Sequence, residues 1–208
     1  TVEALSKSAA EATVHGYQPY VGIPELRKAF ADWYQKWFGV TLNAATEVQP
    51  LIGSKEGILH ISMAFLNPCD GVLVPDPGYP TYSSVSNLVQ AKIHTYELDE
   101  ANGWQPDFDA LEQMDLSNVK LMWVNYPNMP TGAPATKELL EKLVAFGKKH
   151  SIVIVNDNPY SFILNENYLS ILQVEGAKDI CIELNSMSKS HNMPGWRMGM
   201  LASNAEFV

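Results

Sequence analysis

The chain has 208 residues, of which 46% are hydrophobic and 18% charged, a composition typical of a soluble globular protein. Lysine and arginine number 14 against 23 aspartates and glutamates, so the net charge is -9, which argues against nucleic acid and anionic membranes as partners. Cys69 and Cys181 show no metal-binding or redox spacing, and no apolar run reaches the ~18 residues of a membrane span. These features predict a cytoplasmic protein without a metal site.

Helical and extended patterns alternate along the chain. Residues 1–17 read as a polar helix, and the segment 24–39 has Pro24 near its start, apolar residues at helical spacing and Gly39 as a stop signal. Further helices are predicted at 54–67, 81–91 and 136–150. Between and after them, strands are predicted at 46–52, 70–76, 92–98, 118–127, 151–157, 179–185 and 196–202.

This alternation predicts an α/β fold with three layers, in which helices cover both faces of a mostly parallel mixed sheet. Ligands of such sheets bind beyond the carboxyl ends of the strands. Five loops are expected there, and their sequences are GSKEG, PGYPTY, PNMPTG, NPY and MSKSHNMPGWR. Each loop by itself has an ordinary structural explanation as a turn, a helix cap or a surface charge. GSKEG in particular lacks the Gly-Lys-Ser/Thr ending of a nucleotide-binding P-loop.

Taken together, the five loops meet the requirements of a phosphorylated pyridine aldehyde. A helix N-terminus, hydroxyl groups and a cation suit its phosphate, and these are offered by Ser54, Lys55, Ser186 and Arg197. The aldehyde requires a lysine for a Schiff base, and Lys189 lies between two serines directly after a predicted strand.

Three further residues match the ring of the same molecule. The Asp157 carboxylate can keep the ring nitrogen protonated, the aromatic ring of Tyr79 can cover one face, and the Tyr160 phenol can donate to the ring hydroxyl. A P-loop or a dinucleotide-binding fold explains none of Lys189, Asp157 and Tyr79. The pattern therefore predicts pyridoxal 5'-phosphate as the cofactor.

From about Tyr17 to its end, the sequence resembles the large domain of fold-type I, pyridoxal-phosphate-dependent aminotransferases of class I/II. SMSKSHNMPGWRMG, residues 186–199, matches the family pattern Ser-x-Ser-Lys followed by Gly-x-Arg-x-Gly, and DNPY matches Asp-x-x-Tyr. The resemblance implies that Lys189 forms the internal aldimine and then transfers protons. It also implies a homodimer with shared active sites, in which Tyr17 contacts the phosphate bound by the partner subunit.

The resemblance also indicates the domain organisation and one departure. Residues 1–22 are expected to form an N-terminal helix and interface segment and residues 23–208 the cofactor-binding large domain, with the family's small C-terminal domain absent. The family usually has asparagine directly before Pro-Thr-Gly, where this chain has Met129. A thioether cannot replace the hydrogen bonds of an amide, so either Asn128 or Asn125 substitutes or this contact is missing.

The function implied is transfer of an amino group from an amino acid to a 2-oxo acid. Two alternatives share the same motifs: a C–S lyase or cyclopropane-carboxylate-type synthase, and a cofactor-binding domain without turnover.

Overall fold

The computed structural model describes residues 1–208. Its helices are α1 (Val2–Ala9), α2 (Pro24–Phe38), α3 (Ser54–Phe65), α4 (Pro80–Leu88), α5 (Phe108–Glu112), α6 (Lys137–His150) and α7 (Met187–Ser190). Its strands are β1 (Val48–Leu51), β2 (Gly71–Asp76), β3 (Lys92–Glu97), β4 (Val119–Val124), β5 (Val153–Asp157), β6 (Cys181–Ser186) and β7 (Gly199–Ala202). None of these helices has the combination of length and hydrophobicity that a membrane span requires.

All seven strands form one sheet in the order β1-β7-β6-β5-β4-β2-β3. The neighbours from β3 to β6 run parallel, whereas β7 is antiparallel to both β6 and β1. The mostly parallel mixed sheet predicted from the sequence is therefore confirmed. The carboxyl ends of β1, β2, β4, β5 and β6 reach the same edge, where β7 begins.

Two hydrophobic clusters cover the two faces of the sheet. Helices α3 and α4 pack on one face through residues such as Ile58, Ile61 and Tyr82, and helices α2 and α6 pack on the other. Because side chains alternate along a strand, Val153 and Val155 of β5 face α3 and α4, while Ile154 faces α6. The same alternation determines which face of the sheet the last residue of each strand occupies.

The helix boundaries have local causes. Helix α2 has proline at its first turn, and Gly39 caps its end with φ 66°, a left-handed conformation that suits glycine. Thr136 caps the N-terminus of α6, because its hydroxyl accepts a hydrogen bond from the Leu139 amide at 3.1 Å. Its last turn carries two lysines and a histidine, and positive charge interacts favourably with the negative end of the helix dipole.

Two local predictions differ from the structure, and two short helices have no counterpart among the predictions. The helix predicted over residues 1–17 ends at Ala9 and is followed by a 3-10 turn at Ala12–His15, because no residue of this segment is buried and a short helix without packing is marginal in water. The strand predicted at 196–202 begins only at Gly199, because Pro194–Trp196 form a 3-10 turn and Arg197 is left-handed at φ 55°. The short helices α5 and α7 lie in stretches that were not predicted as helical. A helix of four or five residues is too short to show a hydrophobic period, so local hydrogen bonds determine it.

Candidate active site

A cleft of about 240 Å³ lies at the carboxyl edge of the sheet. It brings together side chains from five loops, including all eight predicted within this chain for cofactor binding: Ser54, Lys55, Tyr79, Asp157, Tyr160, Ser186, Lys189 and Arg197. The charged residues of the lining are three cations and one carboxylate. In a protein of net charge -9, this local excess of positive charge favours an anion.

The N-terminus of α3 forms one end of the cleft. Gly53 caps this helix at φ 83°, and a side chain there would overlap the guanidinium of Arg197. A Cβ on Gly199 of β7 would come within 2.7 Å of the Ser54 amide nitrogen, so glycine allows the strand and the helix to approach closely. Glycine at these two positions thus allows the Arg197 side chain to lie beside the first amides of a 12-residue helix.

Arg197 is held in place by backbone carbonyls. Its Nη1 donates to the Pro194 oxygen at 2.8 Å and its Nη2 lies 3.4 Å from the Ile52 oxygen. The Ser186 hydroxyl nearby caps α7 by accepting from the Ser188 amide at 3.1 Å. The helix terminus, the arginine and the hydroxyl therefore converge on one end of the cleft, as a phosphate requires.

Asp157 lies at the floor of the cleft, at the end of β5. Its side chain is buried, and Oδ2 accepts a hydrogen bond from the Tyr82 hydroxyl at 3.0 Å. Oδ1 is buried too and has no protein partner. Burial raises the pKa of this carboxyl to about 6, and the Tyr82 hydrogen bond acts in the opposite direction. Oδ1 is therefore free to accept a hydrogen bond from a donor group in the cleft.

The remaining predicted residues line the same cleft. The Tyr79 ring packs edge-on against the Tyr82 ring with centroids 5.7 Å apart. Tyr160 is half-buried, and desolvation and the nearby Asp157 raise the pKa of its phenol, so it remains a hydrogen-bond donor at neutral pH. Lys189 follows Ser186 by three residues and is exposed to solvent. Its amine is therefore accessible to a ligand in the cleft.

The structure distinguishes the two asparagines that could substitute at Met129. Asn128 is buried and does not line the cleft. Its side chain stabilises the local turn, because its Oδ1 accepts a hydrogen bond from the Thr131 hydroxyl at 2.8 Å. Asn125 lines the cleft beside Met129. Its Nδ2 donates to the Asp157 carbonyl at 2.5 Å and its Oδ1 accepts from the Met129 amide at 2.7 Å. Of the two, only Asn125 has a side chain placed to contact a ligand.

Tyr17 lies outside the cleft and is fully exposed. Residues 1–21, which include α1, contain no buried side chain. The predicted contact of Tyr17 with a partner subunit stays a prediction.

A buried polar cluster behind the cleft is absent from the sequence-based predictions. Glu183 of β6 accepts four hydrogen bonds of 2.7–3.0 Å, from Tyr34, Ser170, the Ile171 amide and Asn156. Burial raises the pKa of this carboxyl, and the four donors oppose that effect. Asn156 also accepts from the Tyr126 amide at 3.1 Å, which connects the cluster to the loop that carries Asn125 and Met129.

Residues 1–208 match the sequence profile of the aminotransferase class I and II family. The chain belongs to this family, whose cofactor is pyridoxal 5'-phosphate. It is 47% identical over 206 residues to an LL-diaminopimelate aminotransferase of Dehalococcoides mccartyi strain 195, covering 98% of this chain and 53% of that protein. The enzyme of the same name from Aquifex aeolicus is also 47% identical, over 100% of this chain and 54% of the relative.

The solved structures agree with this membership. The substrate-bound structure of BacF from Bacillus subtilis superposes with a TM-score of 0.94 at 41% identity, covering 99% of this chain and 53% of that one. A structure of an aminotransferase from Staphylococcus aureus gives a TM-score of 0.93 at 32% identity, with 99% and 55% covered. The chain thus spans about half the length of the relatives it matches. The unpaired Oδ1 of Asp157 and the arginine beside the α3 N-terminus both fit the cofactor of the family.

Proposed function

We propose that the protein is an aminotransferase that moves an amino group from an amino acid to a 2-oxo acid, with Lys189 as the catalytic residue. The observation that carries the proposal is the buried, half-paired carboxylate of Asp157 in one cleft with an accessible lysine and an arginine at a helix N-terminus. When bound, pyridoxal 5'-phosphate supplies an electron-withdrawing ring that stabilises negative charge at the α-carbon of the amino acid.

Each cleft residue has a proposed task. Ser54, the Lys55 amide, Ser186 and Arg197 bind the phosphate by donated hydrogen bonds and charge. Asp157 would keep the ring nitrogen protonated by accepting a hydrogen bond from its N–H group at Oδ1. Tyr79 covers one face of the ring, and the Tyr160 hydroxyl donates to the ring oxygen.

Lys189 has two tasks in this proposal. Its Nζ would hold the cofactor at the aldehyde group. Once the amino group of the substrate has displaced it there, the free amine would take the proton of the substrate α-carbon and return it. The amine lies in the same cleft as the other ligating groups and is open to solvent, so both an amino acid and a 2-oxo acid can reach it.

The names of the relatives suggest LL-diaminopimelate as the first amino donor to test. Such a substrate carries two carboxylates. Of the three cations in the cleft lining, Arg197 is assigned to the phosphate and Lys189 to the cofactor, which leaves the Lys55 amine to meet a carboxylate of the donor.

We also propose a cytoplasmic homodimer. Residues 1–21 expose Val2, Leu5, Val14, Tyr17 and Tyr20. So much apolar and aromatic surface on one unburied segment suits an interface with a second copy. In that arrangement Tyr17 reaches the phosphate end of the partner's cleft.

The decisive experiment uses visible absorbance after addition of pyridoxal 5'-phosphate to the full-length protein. Lys189→Ala is expected to abolish the absorbance of the attached cofactor, while Lys55→Ala keeps it, because only the backbone amide of Lys55 is assigned a task. An unchanged spectrum in Lys189→Ala would reject the proposal. Amino transfer that depends on an added 2-oxo acid, without release of pyruvate and ammonia, separates an aminotransferase from a lyase.

A further inference from the structure

Tyr82 of α4 is a fully buried tyrosine whose ring is fixed on two sides. One face stacks on the Trp123 ring, with centroids 5.1 Å apart and planes 6° from parallel. The Tyr79 ring meets it edge-on at 5.7 Å. Because both contacts leave the ring no room to swing, the hydroxyl stays directed at Asp157, where it donates to Oδ2 at 3.0 Å.

This single hydrogen bond makes the two oxygens of Asp157 different. Oδ2 is held by a side chain, and Oδ1, equally buried, has no partner in the protein. A terminal carboxylate torsion is soft, so without a fixed donor either oxygen could face the ligand at a range of angles. With Tyr82 in place, one oxygen and one orientation are left for an incoming N–H group.

We propose that Tyr82 is a positioning residue: its hydroxyl fixes the Asp157 carboxylate, so that Oδ1 is presented to the protonated ring nitrogen of the cofactor. The inference rests on the proposed function for the identity of the cofactor. Tyr82 lines the same cleft, but in this proposal it acts through Asp157 and is therefore not a catalytic residue.

The charge state of Asp157 supports this role. Burial raises the pKa of its carboxyl to about 6, and the hydrogen bond from Tyr82 is the contact that acts against this rise. Other titratable groups of the cleft are Tyr79 from α4, Tyr160 after β5, Lys55 from α3, and Lys189 and Arg197 after β6. Removing the hydroxyl of Tyr82 therefore favours the protonated acid, which cannot hold a protonated ring nitrogen.

The test compares Tyr82→Phe with Tyr96→Phe in the full-length protein. Tyr96 is the matched control, because it is a buried tyrosine whose hydroxyl donates to the Trp123 carbonyl at 2.7 Å rather than to Asp157. In Tyr82→Phe the dissociation constant of pyridoxal 5'-phosphate at neutral pH is expected to rise about tenfold, as for loss of one hydrogen bond to a charged group. The acid midpoint of cofactor binding is expected to move up by about one pH unit.

A second readout requires no cofactor. Carbon-13 NMR of the aspartate carboxyls follows the titration of Asp157 in the cofactor-free protein, with Asp157→Asn to assign the signal. Its midpoint is expected to rise in Tyr82→Phe and to stay in place in Tyr96→Phe. Substitution of Tyr82 by 3-fluorotyrosine keeps the ring stacking and makes the phenol a stronger donor, so the midpoint is expected to fall. If Tyr82→Phe does not fold, the midpoint in the fluorotyrosine variant alone tests whether the Tyr82 hydroxyl controls the pKa of Asp157.

Equal midpoints in Tyr82→Phe, the fluorotyrosine variant and the wild type would overturn the inference. That result leaves the proposed function standing if the wild type still binds the cofactor through Lys189. Conversely, a wild type that binds no pyridoxal 5'-phosphate rejects the proposed function, while the carboxyl titration still decides whether Tyr82 controls Asp157.

Discussion

Replacing Asp157 by asparagine is expected to remove a pH-dependent loss of stability from the cofactor-free protein. The carboxyl is buried, and its pKa is raised from 3.8 to about 6 because ionisation in the interior is unfavourable. The folded state therefore binds this proton more tightly than the unfolded state. The contribution of Asp157 to stability is greatest below the unfolded pKa and falls as the pH rises towards the folded pKa.

The size of the effect follows from the two pKa values. They differ by about 2 pH units, and each unit corresponds to about 1.4 kcal/mol, so ionised Asp157 costs about 3 kcal/mol of folding free energy. The asparagine side chain does not ionise, so this cost is absent from the variant. Relative to the wild type, Asp157→Asn should gain about 3 kcal/mol between about pH 4 and about pH 8, on top of any constant offset from its unpaired amide.

Urea unfolding of the cofactor-free wild type and variant across this pH range measures the difference directly. Asp76→Asn is the control, because it makes the same substitution at an exposed side chain at the end of β2. A stability difference between Asp157→Asn and the wild type that stays constant with pH would refute the reasoning. Asp157→Asn should also bind pyridoxal 5'-phosphate poorly, so the gain in stability is accompanied by weaker cofactor binding.

Three further substitutions test other parts of the structure. Gly53→Ala should weaken binding of inorganic phosphate and of the cofactor at least tenfold in equilibrium dialysis, because the new methyl group displaces Arg197 and the backbone is left-handed there. Glu183→Ala leaves four buried donors unpaired, so urea unfolding should show a loss of about 3–5 kcal/mol, and a loss below 1 kcal/mol would contradict the described cluster. Thr136→Ala removes the cap of α6 and should cost about 1 kcal/mol, whereas Thr136→Ser should cost little.

Much of the fold could be predicted from the sequence because its signals are local. The β-branched run before Asp157 and the helical spacing of 137–150 each identify an element without reference to the rest of the chain. The order of these elements then indicates an α/β sheet, whose carboxyl edge holds the ligand. The eight cleft residues could be predicted because they lie in the loops expected at this edge and together match the groups of one cofactor, and the resemblance to the aminotransferase family implies the same residues.

The partners of those residues could not be predicted in the same way. Tyr82 and Asp157 are 75 residues apart, and Tyr34 and Glu183 are 149 apart. A strand pattern shows which face a residue occupies, but it does not show which helix covers that face. Even so, Tyr82 lies three residues after Tyr79 in PGYPTY, a helical spacing that offers a weak signal for two tyrosines on one side of α4.

The sequence could not predict which of Asn125 and Asn128 contacts a ligand in the cleft. Strand alternation places Leu121 and Trp123 towards α3 and α4, and Asn125 continues that side into the cleft. Asn128 lies beyond the strand, where alternation no longer applies, and the turn uses its side chain.

The sequence by itself therefore determined the layers of the fold, the edge that holds the site and the residue types offered to a phosphate, a ring nitrogen and an aldehyde. Only the tertiary structure decided that one oxygen of Asp157 is held by Tyr82 and the other left free. The physical reason is range: backbone periodicity is set by neighbours along the chain, whereas burial and hydrogen bonding depend on groups that meet only when helices pack on the sheet.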